Sequence, residues 1–397
     1  MSLLAAILVF GLIILFHELG HFLLAKRGGI CVVEFSLGMG PRLFSFTKGG
    51  TKYSLKLLPF GGSCMMLGEF DDSSEDAQEE KARENIKGKA VFDSNADASG
   101  NEDVDADSED ADNDSEALTE RENRFPGSTS LPFNDTSVWT RFSVIVAGPV
   151  FNFILAFICA FFVISYVGYD PAEIYQLSPG YPAEAAGMQS GDVITHINGK
   201  NIRIYRDILA YTTFHQGETL DIRYTRNGQK HETTISPKFS QESNSYLIGI
   251  SGGVYKKPES VIKTAQYSMY EVRYWINLTF KSIGMILKRQ VSADDIAGPV
   301  RIVSMIDSTV KESSEFGLMV VLVNLANMCV LLSANLGIMN LLPIPALDGG
   351  RLVFILLEAV RGKPMDQEKE GMFHMAGMAV LMVLMVFILF NDVRNLF

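Results

Sequence analysis

The motif His-Glu-Leu-Gly-His at residues 17–21 lies inside an apolar stretch that runs from about Leu3 to Ala25. Ionisable side chains within a membrane helix cost roughly 2.5–3.5 kcal/mol each when charged, so they need a compensating partner. On a helix, His17 and His21 project from one face, where both imidazoles can reach one cation. Glu18 lies on the adjoining face, within reach of a water bound to that cation. The motif therefore predicts a metal site in a membrane helix; the alternative is two histidines that bond to neighbouring helices.

Four apolar stretches are long enough to cross about 30 Å of hydrocarbon. They run roughly over Leu3–Ala25, Phe142–Val167, Phe316–Leu342 and Met372–Phe390. The first has no basic amino-terminal region and no cleavage site before Lys26, so we interpret it as a permanent span. Lys26 and Arg27 follow it directly, which by the positive-inside rule places residue 26 in the cytoplasm. Alternation then places the basic residues after the third stretch on the same side, so both local signals agree.

One acidic block dominates the net charge of −12. Residues 71–124 contain 20 Asp and Glu against 6 Lys and Arg, whereas the rest of the chain has 26 acidic and 28 basic residues. The block is rich in Asp, Asn and Ser and poor in apolar residues, so it cannot offset the entropy of an ordered chain. We predict a disordered cytoplasmic insert over residues 71–135.

Two regions between the apolar stretches are predicted to contain β structure. In residues 30–70, Lys48-Gly-Gly marks a turn, and other glycines with Pro41 divide the strands into short pieces of a membrane-associated hairpin. In residues 169–256, Asn198-Gly199 and Asn227-Gly228 are turn signals. The run from Pro182 to Gly199 resembles the signature of a PDZ domain, a fold that binds extended chains by adding a strand to a sheet edge. The topology places this domain outside the cytoplasm.

A catalytic zinc site usually has three protein ligands, so a third ligand is needed beside His17 and His21. The run Asn-Leu-Leu-Pro-Ile-Pro-Ala-Leu-Asp-Gly-Gly at residues 340–350 offers Asp348. Its prolines break the helix, and its two final glycines allow close backbone approach. Glu18 and Asp348 both fall near the inner side of the bilayer. His374 is the rival ligand, which sidedness alone does not exclude; we favour Asp348.

Together these motifs, with Ala-Gly-Pro-Val-Phe-Asn at residues 147–152, resemble the site-2 protease family, in particular regulator-of-sigma intramembrane metalloproteases with one PDZ domain. The resemblance implies that His17, His21 and Asp348 bind Zn²⁺ and that Glu18 is the general base. It also implies that Asn340 contacts the substrate near the scissile bond. It further suggests that the hairpin presents substrate as an added strand and that the PDZ domain filters substrates.

The predicted fold is a polytopic α-helical membrane protein with four transmembrane helices, a membrane-associated β-hairpin region and an inserted α+β PDZ domain. The transmembrane helices are predicted at 1–29, 136–168, 315–362 and 363–397. The remaining segments are the hairpin region at 30–70, the insert at 71–135, the PDZ domain at 169–256 and amphipathic surface helices at 257–314.

The predicted function is intramembrane cleavage of single-span membrane proteins, such as anti-sigma factors or remnant signal peptides, in the bacterial cytoplasmic membrane. The expected partners are these substrates, the lipid bilayer and a peptide or protein at the PDZ domain; no nucleic acid is expected. Two alternatives remain open. One is a non-catalytic PDZ-bearing receptor with a structural metal. The other is a transporter, because polar residues such as Asn324, Asn327 and Asn335 in a broken span suit ion sites.

Overall fold

The computed structural model describes residues 2–69, 131–290, 297–363 and 365–396. Its helices are α1 (Ser2–Arg27), α2 (Val138–Val167), α3 (Pro182–Ala185), α4 (Tyr205–Phe214), α5 (Val261–Leu287), α6 (Pro299–Ser314), α7 (Leu318–Leu341), α8 (Asp348–Arg361) and α9 (Gln367–Leu396). Its strands are β1 (Val32–Lys48), β2 (Thr51–Met66), β3 (Gln176–Leu177), β4 (Val193–Ile197), β5 (Lys200–Asn201), β6 (Leu220–Arg226), β7 (Gln229–Ile235), β8 (Lys238–Ser240), β9 (Ser245–Leu247) and β10 (Ile250–Ser251).

Within the described residues, four helices are long and apolar enough to cross a membrane, namely α1, α2, α7 and α9. They overlap the four apolar stretches found in the sequence, and with the β-rich regions they fit the predicted α+β membrane protein. Helices α5 and α6, in the segment predicted to be amphipathic, are not among these four. The chain is therefore a membrane protein.

The structure corrects two predicted boundaries. The third transmembrane helix does not continue to residue 362, because α7 ends at Leu341 and α8 begins at Asp348. Pro343 and Pro345 between them cannot donate helical hydrogen bonds. The predicted disordered insert lies outside the described residues up to residue 130, but its last residues are ordered. Leu131 pairs with the chain near Ile30: the Cys31 N–H donates to the Leu131 carbonyl at 3.0 Å.

The chain divides into two units. The HELGH unit comprises Phe10–Val150 and Asn340–Met382, and the β-domain unit comprises Met1–Val9, Phe151–Met339 and Val383–Phe397. The core of the HELGH unit joins side chains of α1, the hairpin, α2 and α8. These include Ala25, Ile30, Val32, Cys64, Met66, Phe133, Val144, Ile145, Leu352 and Ile355.

The hairpin region of the HELGH unit consists of two long strands that bend at their glycines. Gly49 and Gly50 form the turn between β1 and β2 with φ of 59° and 73°. Gly38, with φ of 91°, ends the alternating burial of β1. Residues 34–37 pair both with 52–55 and with 62–65. The pieces expected from the sequence thus occur as separate pairing segments within continuous strands.

In the β-domain unit, the predicted PDZ domain is built on a four-stranded sheet of order β5-β4-β6-β7, whose paired strands are antiparallel. Asn198-Gly199 joins β4 to β5 and Asn227-Gly228 joins β6 to β7. All four residues have φ between 46° and 79°, as expected for turns of type I′. Helix α4 covers the sheet with the buried side chains of Tyr205, Ile208 and Tyr211.

A buried ionic cluster connects this domain to helix α5. The Arg206 guanidinium donates to both carboxylate oxygens of Glu271 and to Asp170 Oδ2, the latter at 3.2 Å. Burial raises the pKa of the Glu271 carboxyl above its ordinary value, although the neighbouring Arg206 opposes this shift. Because an unpaired buried charge is strongly destabilising, the cluster holds α5 against the domain.

Candidate metal centre

The two motif histidines lie one helical turn apart on α1 and bring their Nε2 atoms together. His17 Nε2 and His21 Nε2 are 3.3 Å apart, and the two rings meet edge to face. The other ring nitrogen of His21 fixes the orientation of the imidazole, because Nδ1 lies 2.8 Å from the carbonyl oxygen of Val144 on α2. In the neutral tautomer that donates this bond, Nε2 keeps its lone pair for a metal.

Asp348 supplies a third donor atom at the same point. Its Oδ2 lies 3.2 Å from His17 Nε2 and 3.4 Å from His21 Nε2. The backbone after α7 turns back, so that the start of α8 lies directly against residues 342–344. A Cβ at Gly349 would lie 2.0 Å from the Leu342 carbonyl oxygen, and one at Gly350 would lie 2.5 Å from that of Ile344. Glycine is required at both positions for this approach.

The three donor atoms fit a tetrahedral metal ion. Ligands held roughly 2.0–2.2 Å from one ion in tetrahedral geometry lie roughly 3.3–3.6 Å from each other. The observed separations are 3.2, 3.3 and 3.4 Å. Asp348 Oδ2 is buried and has no hydrogen-bond partner in the part of the chain that the structure describes, which a bound cation would explain. Two imidazole nitrogens and one carboxylate oxygen are a donor set that zinc accepts.

The other predicted site residues lie around this group. The Glu18 side chain packs against the hairpin, since a Cβ at Gly62 would lie 2.8 Å from Glu18 Cγ. Asn340, the penultimate residue of α7, places its Nδ2 3.4 Å from His17 Nε2. His374, the rival third ligand, is not in the group. Its Nδ1 instead accepts a hydrogen bond of 3.0 Å from the Ala346 N–H.

Comparison of this sequence with known proteins shows the family to which the chain belongs. Residues 5–384 match the model of peptidase family M50. The chain belongs to peptidase family M50. It is 34% identical over 423 residues to the zinc metalloprotease RasP of Geobacillus kaustophilus strain HTA426, covering 100% of this chain and 98% of that protein. It is 32% identical over 425 residues to the regulator of sigma-W protease RasP of Bacillus subtilis strain 168, covering 100% and 99%.

Among solved structures, the PDZ domain of the SdrC-like protein from Listeria monocytogenes is 23% identical, with a TM-score of 0.20, and covers 22% of this chain and 90% of that chain. The family match confirms the resemblance to site-2 proteases that the sequence motifs indicated. The chain is an M50 metalloprotease, which is a hydrolase embedded in a membrane.

Glycines of this M50 peptidase allow α2 to approach the two histidines. A Cβ at Gly148 would lie 2.3 Å from His21 Nε2 and 2.8 Å from His17 Cε1. A Cβ at Gly20 would lie 2.4 Å from the Ala147 carbonyl oxygen. From the sequence, residues 147–152 indicated only the family resemblance, and Gly148 and Val144 were not predicted as site residues. The Gly-Pro pair within an apolar helix was the available signal, because glycine there implies close packing.

Ion pairs of this M50 peptidase hold α8, which carries Asp348, against α2 and the hairpin. Arg141 on α2 donates to both carboxylate oxygens of Glu358, at 3.1 and 2.5 Å. Arg351 donates to Glu69, just beyond the end of β2. Nearby Cys64 is not a further ligand candidate. Its thiol is not among the donor atoms that converge there, and burial raises the pKa of that thiol above its ordinary value.

Proposed function

We propose that this chain is an intramembrane zinc metalloendopeptidase that cleaves the transmembrane segments of single-span membrane proteins. The observation that carries the proposal is the convergence of three donor atoms, from His17, His21 and Asp348, within 4.8 Å of one another. Two of the three belong to a helix apolar enough to span a membrane. The names of the RasP relatives, which are zinc metalloproteases, support zinc as the metal.

Each site residue has a distinct proposed role. His17, His21 and Asp348 hold the zinc ion, which when bound supplies a Lewis acid that lowers the pKa of a coordinated water to about 7. The Glu18 carboxylate accepts a proton from the attacking water and then donates it to the leaving amine nitrogen. Asn340 Nδ2, close to His17, donates a hydrogen bond to the substrate carbonyl as negative charge develops on it.

The hairpin is proposed to bind the unwound substrate. A transmembrane helix hides its carbonyls in its own hydrogen bonds, so the substrate must unwind locally before it is cleaved. A strand of the hairpin offers replacement hydrogen bonds to the extended substrate. The contact of Gly62 with Glu18 and Ile14 supports this role, because it places one hairpin segment, residues 62–65, beside the proposed base.

The proposed topology is that of a multi-pass protein of the bacterial cytoplasmic membrane, with the predicted PDZ domain outside and the acidic insert inside. Lys26 and Arg27 at the end of α1, and Arg361 at the end of α8, support this orientation. The relative named regulator of sigma-W protease supports anti-sigma factors as a substrate class. Remnant signal peptides are a second class of single-span substrate. The predicted PDZ domain is proposed to bind a peptide or protein and so to screen substrates.

Membership in a peptidase family argues against the receptor and the transporter. Two of the polar residues that favoured a transporter make hydrogen bonds between helices instead. Asn324 Nδ2 donates to Ser313 Oγ at 2.7 Å, and Asn335 Oδ1 accepts a hydrogen bond from Thr279. Polar contacts of this kind stabilise helix packing in membranes.

Cleavage of matched single-span substrates in vesicles tests the proposed function. The zinc-loaded full chain is reconstituted with a substrate whose span contains an Asn-Pro pair or, as the control, Leu-Leu at the same position. Because proline in a helix costs about 3 kcal/mol, we expect the Asn-Pro span to be cut roughly 10–100-fold faster. Removal of zinc by a chelator should abolish both reactions. Equal cleavage of the two spans, or cleavage that persists without metal, would contradict the proposal.

A further inference from the structure

His374 on α9 is the one histidine of the HELGH unit outside the proposed metal ligands. Its side chain is buried, and its Nδ1 accepts the backbone N–H of Ala346 at 3.0 Å. An imidazole that accepts at Nδ1 carries its proton on Nε2. That second nitrogen is buried and makes no hydrogen bond among the described residues. The bond to Ala346 is therefore the one hydrogen bond of this ring in the part of the chain that the structure describes. Glu370 Oε1 lies 3.9 Å from Nε2, and the rings of Phe354 and Phe373 border the imidazole.

The residue that His374 contacts has an unfavourable backbone conformation. Ala346 has φ of 70°, in the left-handed region that residues with a Cβ rarely adopt. It lies two residues before Asp348, the first residue of α8. The neighbouring bonds, from the Ile344 N–H to Leu342 and from the Leu347 N–H to Ile344, leave the Ala346 N–H for a side-chain acceptor. Such a turn persists only where its surroundings hold it.

Helix α9 contacts the same turn a second time, at Gly377. A Cβ at Gly377 would lie 2.0 Å from Pro345 Cβ, so the helix and the turn are in direct van der Waals contact there. Residues 374 and 377 are three apart and share one face of α9. That face therefore fixes the turn twice, by a hydrogen bond to Ala346 and by close packing on Pro345.

We propose that His374 is a positioning residue that places Asp348 Oδ2 against the imidazoles of His17 and His21. This inference rests on the proposed zinc site, whose third ligand it concerns. If the bond to Ala346 is lost, the turn can relax toward an ordinary backbone conformation and move the start of α8. Asp348 Oδ2 would then leave the position 3.2 Å from His17 Nε2. His374 thus controls metal affinity without binding the metal.

Zinc competition against a chelator of known affinity tests this role on the full chain in detergent. The variants are H374A, which removes the acceptor, and H374N, whose Oδ1 can replace Nδ1. Mutation of residues that hold metal ligands in place typically lowers metal affinity 10–100-fold. We therefore expect H374A to bind zinc at least about tenfold more weakly than the wild type. H374N should stay within about threefold of the wild-type affinity. The thermal unfolding of both zinc-free variants is followed in parallel to establish that each is folded.

The matched pair G377A and G371A gives an independent test on the same helix. A Cβ at Gly371 would meet nothing within 4 Å among the described atoms. We expect G377A to weaken zinc binding and G371A to leave it unchanged. Wild-type affinity in H374A, or an H374N variant as weak as H374A, would overturn the inference. A wild-type chain that binds no zinc would instead refute the proposed function itself.

Discussion

Replacement of Glu18 by glutamine should reduce cleavage of a reconstituted single-span substrate by about 10²–10⁴-fold, the usual contribution of a general base. Glutamine has nearly the same shape as glutamate, so the contact of Glu18 Cγ with Gly62 should remain. Glu18 is not among the three grouped ligands, and E18Q should therefore keep the zinc content of the wild type. The measurements are initial cleavage rate and zinc per chain by elemental analysis on the same preparation.

Glu271 provides the control for removal of a buried carboxylate. It lies in the β-domain unit, where it pairs with Arg206. E271Q should lower the thermal unfolding temperature, because it weakens a buried ion pair, and yet should still cleave the substrate. An E18Q protein that cleaves at the wild-type rate would exclude Glu18 as the base. One that has lost its zinc would contradict a metal site held by His17, His21 and Asp348 without Glu18.

Replacement of Gly148 by alanine should weaken zinc binding by the protein. The added methyl group would lie 2.3 Å from His21 Nε2, and contacts under 3.0 Å are essentially never seen for real Cβ atoms. One imidazole must move, and its lone pair would then no longer point to the position where the donor atoms of His17, His21 and Asp348 converge. Overpacking of this kind costs about 1–3 kcal/mol, which corresponds to zinc binding weakened roughly 5–150-fold. Zinc competition with a chelator measures this change, and cleavage should fall with it.

Gly11 on α1 offers a matched control for this substitution. A Cβ there would meet no described atom within 4 Å. G11A should therefore leave zinc binding unchanged and stabilise the helix by about 0.5–1 kcal/mol, the usual gain of alanine over glycine. If G148A and G11A both bind zinc like the wild type, the imidazoles do not lie where the structure places them.

Much of the site follows from local sequence. The spacing of His17 and His21 puts both on one face of a helix, and the turn signals at Asn198 and Asn227 are local as well. The break after Leu341 is marked by its prolines, but the sequence alone did not show that a separate helix, α8, would start at Asp348. The prolines mark where a helix ends, but they do not show where the next helix begins.

The remaining features depend on contacts between distant segments. Sidedness alone could not separate Asp348 from His374, because both are predicted to lie near the inner side of the membrane. The choice depends on the packing of α8 and α9. The contact of Gly148 with His21 also depends on how closely two helices pack, which single-sequence patterns do not report. The double pairing of residues 34–37 is likewise a matter of register, which glycine-rich strands specify weakly.

X-ray absorption at the zinc K-edge of the purified, zinc-loaded full chain tests the central claim, that His17, His21 and Asp348 hold the metal. We predict a first shell of nitrogen and oxygen atoms at about 2.0–2.2 Å, with the scattering signature of two imidazoles. A sulfur shell at about 2.3 Å, which would point to a cysteine such as Cys64, would contradict this ligand set. A third imidazole, which would point to His374, would contradict it equally.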